Sequence, residues 1–192
     1  LAVEVAEAGW ARRGRFVAKL VSVPDAVAMA KSSPPKIFAD VGDNPGGGGR
    51  GNTQYILKAF HEAGVQNCLV GALFDPPLAA ALHAAGVGAN ITARFNTEEA
   101  SPFSEKWQAP ATVVALSDGK FIGRRGIFAG QALDMGPTAA IRLGGITVVV
   151  ISNRQQCADP MFFEHLGLDI AKAGSVVVKS RGHFRGGFDE FF

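Results

Sequence analysis

Short apolar runs alternate with helical patterns over the first half of the main part of the chain. Residues 37–41, 68–74 and 89–95 are apolar runs of strand length, and residues 52–64 and 78–85 have the spacing of amphipathic helices. This strand–helix–strand–helix–strand order predicts a parallel sheet with helices packed against it.

The second half of the chain has a different pattern, which predicts mostly β-structure. Asp118-Gly119 is a strong two-residue hairpin turn, and Gly144-Gly145 separates another pair of apolar runs. The elements predicted here are strands at 112–116, 121–124, 139–143, 146–151 and 175–179, a short helix at 160–166 and an irregular polar segment at 96–109. The predicted fold class is therefore α/β. A parallel-sheet first half and a β-hairpin-rich second half form a mixed sheet in a single main domain.

The first 35 residues are predicted to be an adaptor in front of the main domain, which occupies residues 36–192. The elements predicted in it are a helix end at 1–10, a strand at 16–23, a helix at 25–31 and a linker at 32–35. The chain starts at Leu1, inside a helical pattern, which indicates a fragment of a longer protein. We interpret residues 1–35 as the tail of a missing N-terminal domain.

Composition narrows the function classes. The 192 residues suffice for one substantial core, and the formal net charge is only +2. The chain has no basic run with interleaved aromatics, so nucleic acid binding is not indicated. It has no signal peptide and no apolar run of membrane length, so a membrane is not indicated either. Cys68 and Cys157 lack a C-x-x-C partner, which favours a reducing compartment and a cytoplasmic location.

The glycine-rich stretch after the first strand is the main candidate site. The strand ends in two carboxylates, Asp40 and Asp43, and four glycines follow at 46–49. Asn52 or Thr53 is expected to cap the next helix. Unpaired N–H groups at a helix start, beside residues that tolerate positive φ, make an anion site. The sequence therefore predicts close approach of a ligand to this backbone, and the alternative is a flexible surface loop.

A nucleotide site is a further interpretation of the same stretch. Gly46, Gly48 and Gly51 formally match G-x-G-x-x-G, and Asp75 follows where a ribose-binding acid would lie. Against this, Pro45 removes a backbone donor at the turn, and no Gly-Lys-Ser/Thr of a Walker motif follows the glycines.

The last predicted strand leads into a polar, basic tail. It delivers Lys179 and Ser180, and Arg181, His183 and Arg185 follow among glycines. Arginine recognises carboxylates in a bidentate way, lysine is a point charge and histidine titrates near neutral pH. If this strand and the first one are parallel neighbours, the acidic loop and the basic tail meet at one sheet edge. They would then bind a ligand together or simply bridge each other, and a solvated basic terminus is the remaining alternative.

Other catalytic patterns are weak. The histidines 61, 83, 165 and 183 are scattered, and neither they nor Cys157 have metal-ligand spacing. No G-x-S-x-G motif indicates a serine nucleophile.

Three stretches of the chain resemble the signatures of the C-terminal domain of the microcystinase C (MlrC) family, a family of bacterial zinc metallopeptidases: ADVGDNPGGGGRGNT, FDPPLAAALHAAGVGA and VVVKSRGHFRGGF. The resemblance covers residues 36–192. One departure is Asn52, where the family typically has an aspartate, although asparagine serves equally well as a helix cap.

The resemblance implies a hydrolase whose full-length form cleaves linearised microcystin or similar small modified peptides. It also implies that zinc is bound by an N-terminal domain that this sequence lacks, so that catalytic residues and metal ligands are expected there and none in this chain. We expect this part to close the cleft over that domain and to bind substrate, with a homodimer as a further possible assembly. The expected substrate-binding residues are Asp40, Asp43, Asn44, Gly46, Gly47, Gly48, Asn52, Thr53, Lys179, Ser180, His183 and Arg185.

Two other functions stay open from the sequence. One is a non-catalytic structural or dimerisation domain whose signature residues hydrogen-bond to each other. The other is a nucleotide-binding module that uses the glycines.

Overall fold

The computed structural model describes residues 1–98, 101 and 103–192. The α-helices of this part, α1 to α6 in chain order, are Ala2–Ala11, Val23–Ala30, Tyr55–Glu62, Pro76–Ala85, Met161–Glu164 and Phe184–Phe188. The strands, β1 to β9, are Lys36–Ala39, Cys68–Phe74, Asn90–Phe95, Trp107–Ser117, Lys120–Ile122, Ala132–Asp134, Thr138–Leu143, Ile146–Ile151 and Ser175–Val178.

Seven strands form one mixed sheet in the order β1-β9-β2-β8-β7-β4-β3. The first four are mutually parallel, and each later strand runs antiparallel to its neighbour. The predicted α/β class with a mixed sheet is therefore confirmed. The predicted hairpin of β7 and β8 is also present, with Leu143 opposite Ile146 at its turn.

The position of β3 differs from the prediction. It does not join β1 and β2 in the parallel part but lies at the far edge of the sheet, antiparallel to β4. Burial explains the difference. Parallel strands covered on both faces are continuous apolar runs, as β9 is, whereas exposed and buried positions alternate at the end of β3, as on an edge strand. The C-terminal half of the chain thus supplies the parallel partners of β1 and β2.

Two other predictions are wrong. The hairpin predicted around Asp118-Gly119 is not formed, because β4 does not pair with β5. It lies between β3 and β7, and β5 pairs with β6 in a separate two-stranded sheet. The predicted strand 16–23 is absent, because this segment is exposed and has no neighbouring strand to pair with. The predicted irregular segment 96–109 lies partly outside the described residues, and its last residues belong to β4.

The core consists of two apolar layers, one on each face of the sheet. Helices α2, α3 and α4 contribute Ala26, Phe60 and Leu82 to the first layer, whereas α5 and α6 contribute Phe162 and Phe188 to the second. Successive residues of β9 point alternately into the two layers, as the pleat of a strand requires. The ends of the central strands are therefore fixed from both sides.

The N-terminal segment, residues 1–22, contributes little to either layer. No residue of α1 is buried, and Trp10, Phe16 and Val17 are each at least 70% exposed. None of the described helices is long and apolar enough to cross a membrane.

Candidate functional site

The acidic loop and the basic tail meet where β1 and β9 end. The two strands are parallel neighbours, and Ala39 lies opposite Val178. The backbone N–H of Asp40 continues the ladder by donating to the Val178 carbonyl over 2.9 Å. Asp40 and Lys179 consequently leave the sheet side by side.

Lys179 is the centre of a buried polar cluster. Its Nζ lies 2.8 Å from Oδ2 of Asp40, 2.9 Å from Oδ2 of Asp43 and 3.0 Å from Oγ1 of Thr53, and it also donates to the Thr53 carbonyl. The side chain is 3% exposed. An ammonium group has three donors, and here they all serve partners inside the protein.

Asp43 ties the two ends of the glycine loop (residues 43–53) together. Its Oδ1 accepts from the N–H of Gly51 over 2.7 Å, and its Oδ2 accepts from the N–H and Oγ1 of Thr53 over 2.8 and 2.9 Å. Burial alone would raise the pKa of this carboxyl, but the charge of Lys179 and these hydrogen bonds outweigh it and lower the pKa below its ordinary value. The loop is therefore closed around an ionised carboxylate.

The backbone N–H groups of glycines 46–49 have partners within the loop. Three donate to the side chain or carbonyl of Asn44 and one to the carbonyl of Pro45, over distances of 2.9–3.1 Å. Gly49 also passes so close to Asn44 that a Cβ there would lie 2.7 Å from its backbone nitrogen. The N–H groups of these four glycines are therefore already paired within the loop.

The predicted cap of α3 is also different. Its N-cap is Gln54, without a side-chain capping bond, because Asn52 and Thr53 are engaged elsewhere. Oδ1 of Asn52 accepts from Oγ of Ser104 over 2.6 Å, and its carbonyl accepts from Asn96. Asn52 thus attaches the loop to the segment that follows β3.

Gln156 joins the loop to the tail, and sequence reasoning missed it. This side chain, 3% exposed, donates from Nε2 to Oγ of Ser180 over 2.9 Å and lies 3.0 Å from Nδ1 of His183. Its Oε1 lies against Gly46, where a Cβ would come within 1.8 Å of it. The available signal was its position shortly after the buried strand β8, at the same sheet edge as the other candidates.

The exposed basic side chains Arg154, Arg181, His183 and Arg185 are called the basic rim here. His183, Arg181 and Arg185 are exposed on the tail, and the Arg185 guanidinium lies 5.3 Å from the ring centroid of Phe184. On the loop side, Nη1 of Arg154 donates to the Gly49 carbonyl over 3.4 Å.

The twelve predicted site residues fall into three groups by burial. The buried ones are Asp43, Asn52, Lys179 and Ser180, the half-buried ones are Asp40, Asn44 and Thr53, and the exposed ones are Gly46, Gly47, Gly48, His183 and Arg185. The glycine loop and Lys179 lie together where β1 and β9 end, and Gln156 links Ser180 and His183 to Gly46. By burial, the predicted residues therefore divide into a buried layer and an exposed layer.

A cavity of about 310 Å³ adjoins the loop at Asn52. Asp75, at the start of α4, lines it together with Asn96 and Glu98. Burial raises the pKa of Asp75, although its carboxylate accepts from the N–H groups of Leu78 and Asn96 over 3.1 and 2.7 Å. These bonds give Asp75 a capping role at α4.

The described residues contain no cluster of three or more histidine, cysteine or acidic side chains that could hold a metal ion. His61 packs against Trp107, and Nε2 of His83 lies 3.0 Å from the Thr138 carbonyl. The described residues therefore do not fit a zinc site.

The protein is a mixed α/β domain with a buried ion cluster at the ends of β1 and β9 and exposed basic side chains on the tail that follows β9. The chain belongs to the MlrC C-terminus family, whose model matches residues 38–192. It is 26% identical over 164 residues to microcystinase C of Sphingomonas sp., an alignment that covers 85% of this chain and 32% of that protein. The crystal structure of a candidate metallopeptidase from Mesorhizobium sp. BNC1 has the same fold, with a TM-score of 0.86 and 24% identity. That match covers 98% of this chain and 38% of the other, so this chain spans well under half of both relatives.

Proposed function

We propose that the chain is the C-terminal part of a zinc-dependent peptidase that hydrolyses linearised microcystin or similar small modified peptides. The observation that supports this is the family membership together with the relative named microcystinase C. Since the described residues do not fit a metal site, zinc and the bond-breaking groups belong to another part of the longer protein. Two buried free cysteines, Cys68 and Cys157, suit a reducing, cytoplasmic location.

The role of this part is to close the cleft and bind substrate through the exposed layer of the sheet edge. His183 and Arg185 reach solvent on a short helix that Phe184 and Phe188 anchor in the core. Arginine and histidine suit the carboxylates of small acidic peptides. The buried ion cluster around Lys179 fixes the loop and the tail beneath them, so that these side chains are held in place.

The partner of this part is the remaining domain of the same protein. Residues 1–22 leave large apolar side chains in water, among them Val3, Trp10 and Phe16. Exposed apolar side chains in such numbers are typical of a surface that packs against something else. Both relatives extend well beyond the aligned region. In our proposal, the further domain of the longer protein covers the exposed apolar side chains of residues 1–22.

Hydrolysis of a linear microcystin tests the proposal, with the full-length protein and the 192-residue chain compared side by side. We expect stoichiometric zinc and turnover in the full-length protein alone. The variants His183→Ala and Arg185→Ala should raise KM, and Arg142→Ala on β7 serves as an exposed control away from the tail. Zinc or turnover in the 192-residue chain, or unchanged kinetics in both tail variants, would contradict the proposal.

A structural or dimerisation domain is the second candidate, and the direct contact of Lys179 with Asp40 and Asp43 favours it for the buried layer. A solution mass of two chains, with unchanged hydrolysis in the tail variants, would support it. A nucleotide site is less favoured because the loop amides have internal partners. A thermal-shift screen tests it, since a nucleotide at a hundred times its Kd stabilises by about 2.7 kcal/mol.

A further inference from the structure

His183 is the titratable group of the exposed layer, and its ring is held from one side. Among the described residues, the hydrogen bonds of the ring involve Nδ1 and the amide of Gln156, which is buried. Nδ1 lies 3.0 Å from Nε2 of Gln156 and 3.3 Å from Oε1. The nitrogen of the amide is thus the nearer partner.

The surroundings of Gln156 decide which way its amide faces. Nε2 has two hydrogens, and two acceptors lie in reach: Oγ of Ser180 at 2.9 Å and Nδ1 of His183 at 3.0 Å. Oε1 lies against the Cα of Gly46, in the space that a Cβ would fill at 1.8 Å. A carbonyl oxygen tolerates Cα–H neighbours, and the two hydrogens of Nε2 match the two acceptors on the other side of the amide.

An amide that donates to Nδ1 has a consequence for the other ring nitrogen. The neutral imidazole then carries its proton on Nε2, because Nδ1 must keep its lone pair to accept the bond. Nε2–H is consequently a donor on an exposed side chain at the basic rim.

We propose that Gln156 is a positioning residue that fixes His183 in the Nε2–H tautomer, so that the ring offers a hydrogen-bond donor to a carbonyl or carboxylate oxygen of a bound peptide. The part that concerns the peptide rests on the proposed function, whereas the tautomer belongs to the chain alone. Gly46 contributes to the same arrangement, since a Cβ there would push the amide oxygen of Gln156 out of its present position.

Nitrogen NMR of the 192-residue chain with labelled histidine tests the tautomer directly. In the neutral ring, observed at basic pH, we expect an unprotonated Nδ1 and a protonated Nε2 for His183. In Gln156→Glu the carboxylate can only accept a hydrogen bond, so the proton should move to Nδ1. Gly46→Ala should displace the amide and shift the Nδ1 resonance, and His61, away from this network, is the internal control.

A protonated Nδ1 in the wild-type chain would overturn the proposal, since it would mean that the amide faces the other way. So would unchanged His183 resonances in Gly46→Ala, a variant that does not depend on placing a charge in the interior. If Gln156→Glu does not fold, Gln156→Leu replaces it. Its Nδ1 resonance should move to that of an imidazole without a bonded donor.

Kinetics of the full-length enzyme test the contact with the peptide. Gln156→Leu should lower kcat/KM by about tenfold, the size expected for one misplaced hydrogen-bond donor. If Arg185→Ala impairs hydrolysis while Gln156→Leu leaves it unchanged, this inference fails and the proposed function stands. If His183→Ala and Arg185→Ala both leave hydrolysis unchanged, the proposed function fails, whatever the tautomer.

Discussion

Lys179 and Asp43 lie 136 residues apart in the sequence, yet their side chains form an ion pair of 2.9 Å in which the two are only 3% and 4% exposed. The pair joins the first loop of the main domain to its last strand. Because the loop closes around Asp43, and the tail that carries His183 begins at Lys179, the loop and the tail form one structural unit.

Removing one partner of this pair should be costly. Lys179→Met leaves the buried carboxylate of Asp43 and the half-buried one of Asp40 without their ammonium, and the expected loss in the free energy of unfolding is about 3–5 kcal/mol. Urea denaturation measures it. Lys172→Met is the matched control, since Lys172 pairs with Asp169 while 84% exposed, and it should change stability far less than Lys179→Met. Equal effects of the two variants would mean that the buried pair contributes no more than a surface pair.

The same cluster predicts an acid-sensitive stability. The pKa of Asp43 is below its ordinary value in the folded chain, since the effects of Lys179 and of the hydrogen bonds exceed that of burial. Its contribution is therefore complete above the unfolded-state pKa of about 3.9 and is lost as the pH falls through the lower folded-state value. Unfolding free energies measured from about pH 6 to pH 2 should decline less steeply at the acid end in Asp43→Asn, which also starts from a lower value.

Asp169 is the control for this acid dependence. Its pKa is also lowered, mainly by the hydrogen bond from Lys172, but the pair is exposed and solvent weakens its effect on stability. Asp169→Asn should leave the acid slope almost unchanged. A steep slope that persists in Asp43→Asn would assign the acid sensitivity to other carboxylates.

The sequence predicted which strands and which charged segments meet at this edge of the sheet better than it predicted the contacts between them. Apolar runs located β1, β2 and β9 closely, since buried parallel strands have continuous apolar sequences. They also suggested that the acidic loop and the basic tail meet. The order of the strands in the sheet was harder to predict, because β9 lies between β1 and β2 through contacts between residues far apart in the sequence.

The hydrogen bonds of the loop and the role of Gln156 could not be predicted from local patterns. Four glycines indicate a close backbone approach, but not that the approaching atoms belong to Asn44 and Gln156 of the same chain. A single glutamine after a strand has no distinctive signature. Its importance comes from the three-dimensional neighbourhood of Gly46, Ser180 and His183.

The two cysteines should be unreactive in the native chain. Burial raises the pKa of Cys68 to about 11 and that of Cys157 well above its ordinary value, and the residues are 1% and 0% exposed. Thiolates are the reactive form, so a disulfide reagent near pH 8 should modify neither residue until the chain opens. Absorbance of the released thiol measures the rate, and the chain unfolded in guanidinium gives the reference. Rapid modification of Cys157 would show that the region under α5 and α6 opens on its own.

Gly49→Ala tests whether the loop depends on its close backbone approach. A Cβ at this position would lie 2.7 Å from the Asn44 nitrogen and 2.9 Å from the Asp43 carbonyl carbon, so backbone atoms would have to move. We expect a loss of about 1–3 kcal/mol in unfolding free energy, the usual range for overpacking. Gly42→Ala is the matched control, because a Cβ at Gly42 would have no atom within 4 Å and the substitution stays at the entry to the same loop. The strain in Gly49→Ala would act on Asp43, so the unfolding free energy should also decline less steeply at acid pH. If both the stability and this slope are unaltered, the loop adapts without disturbing the ion pair, contrary to the prediction.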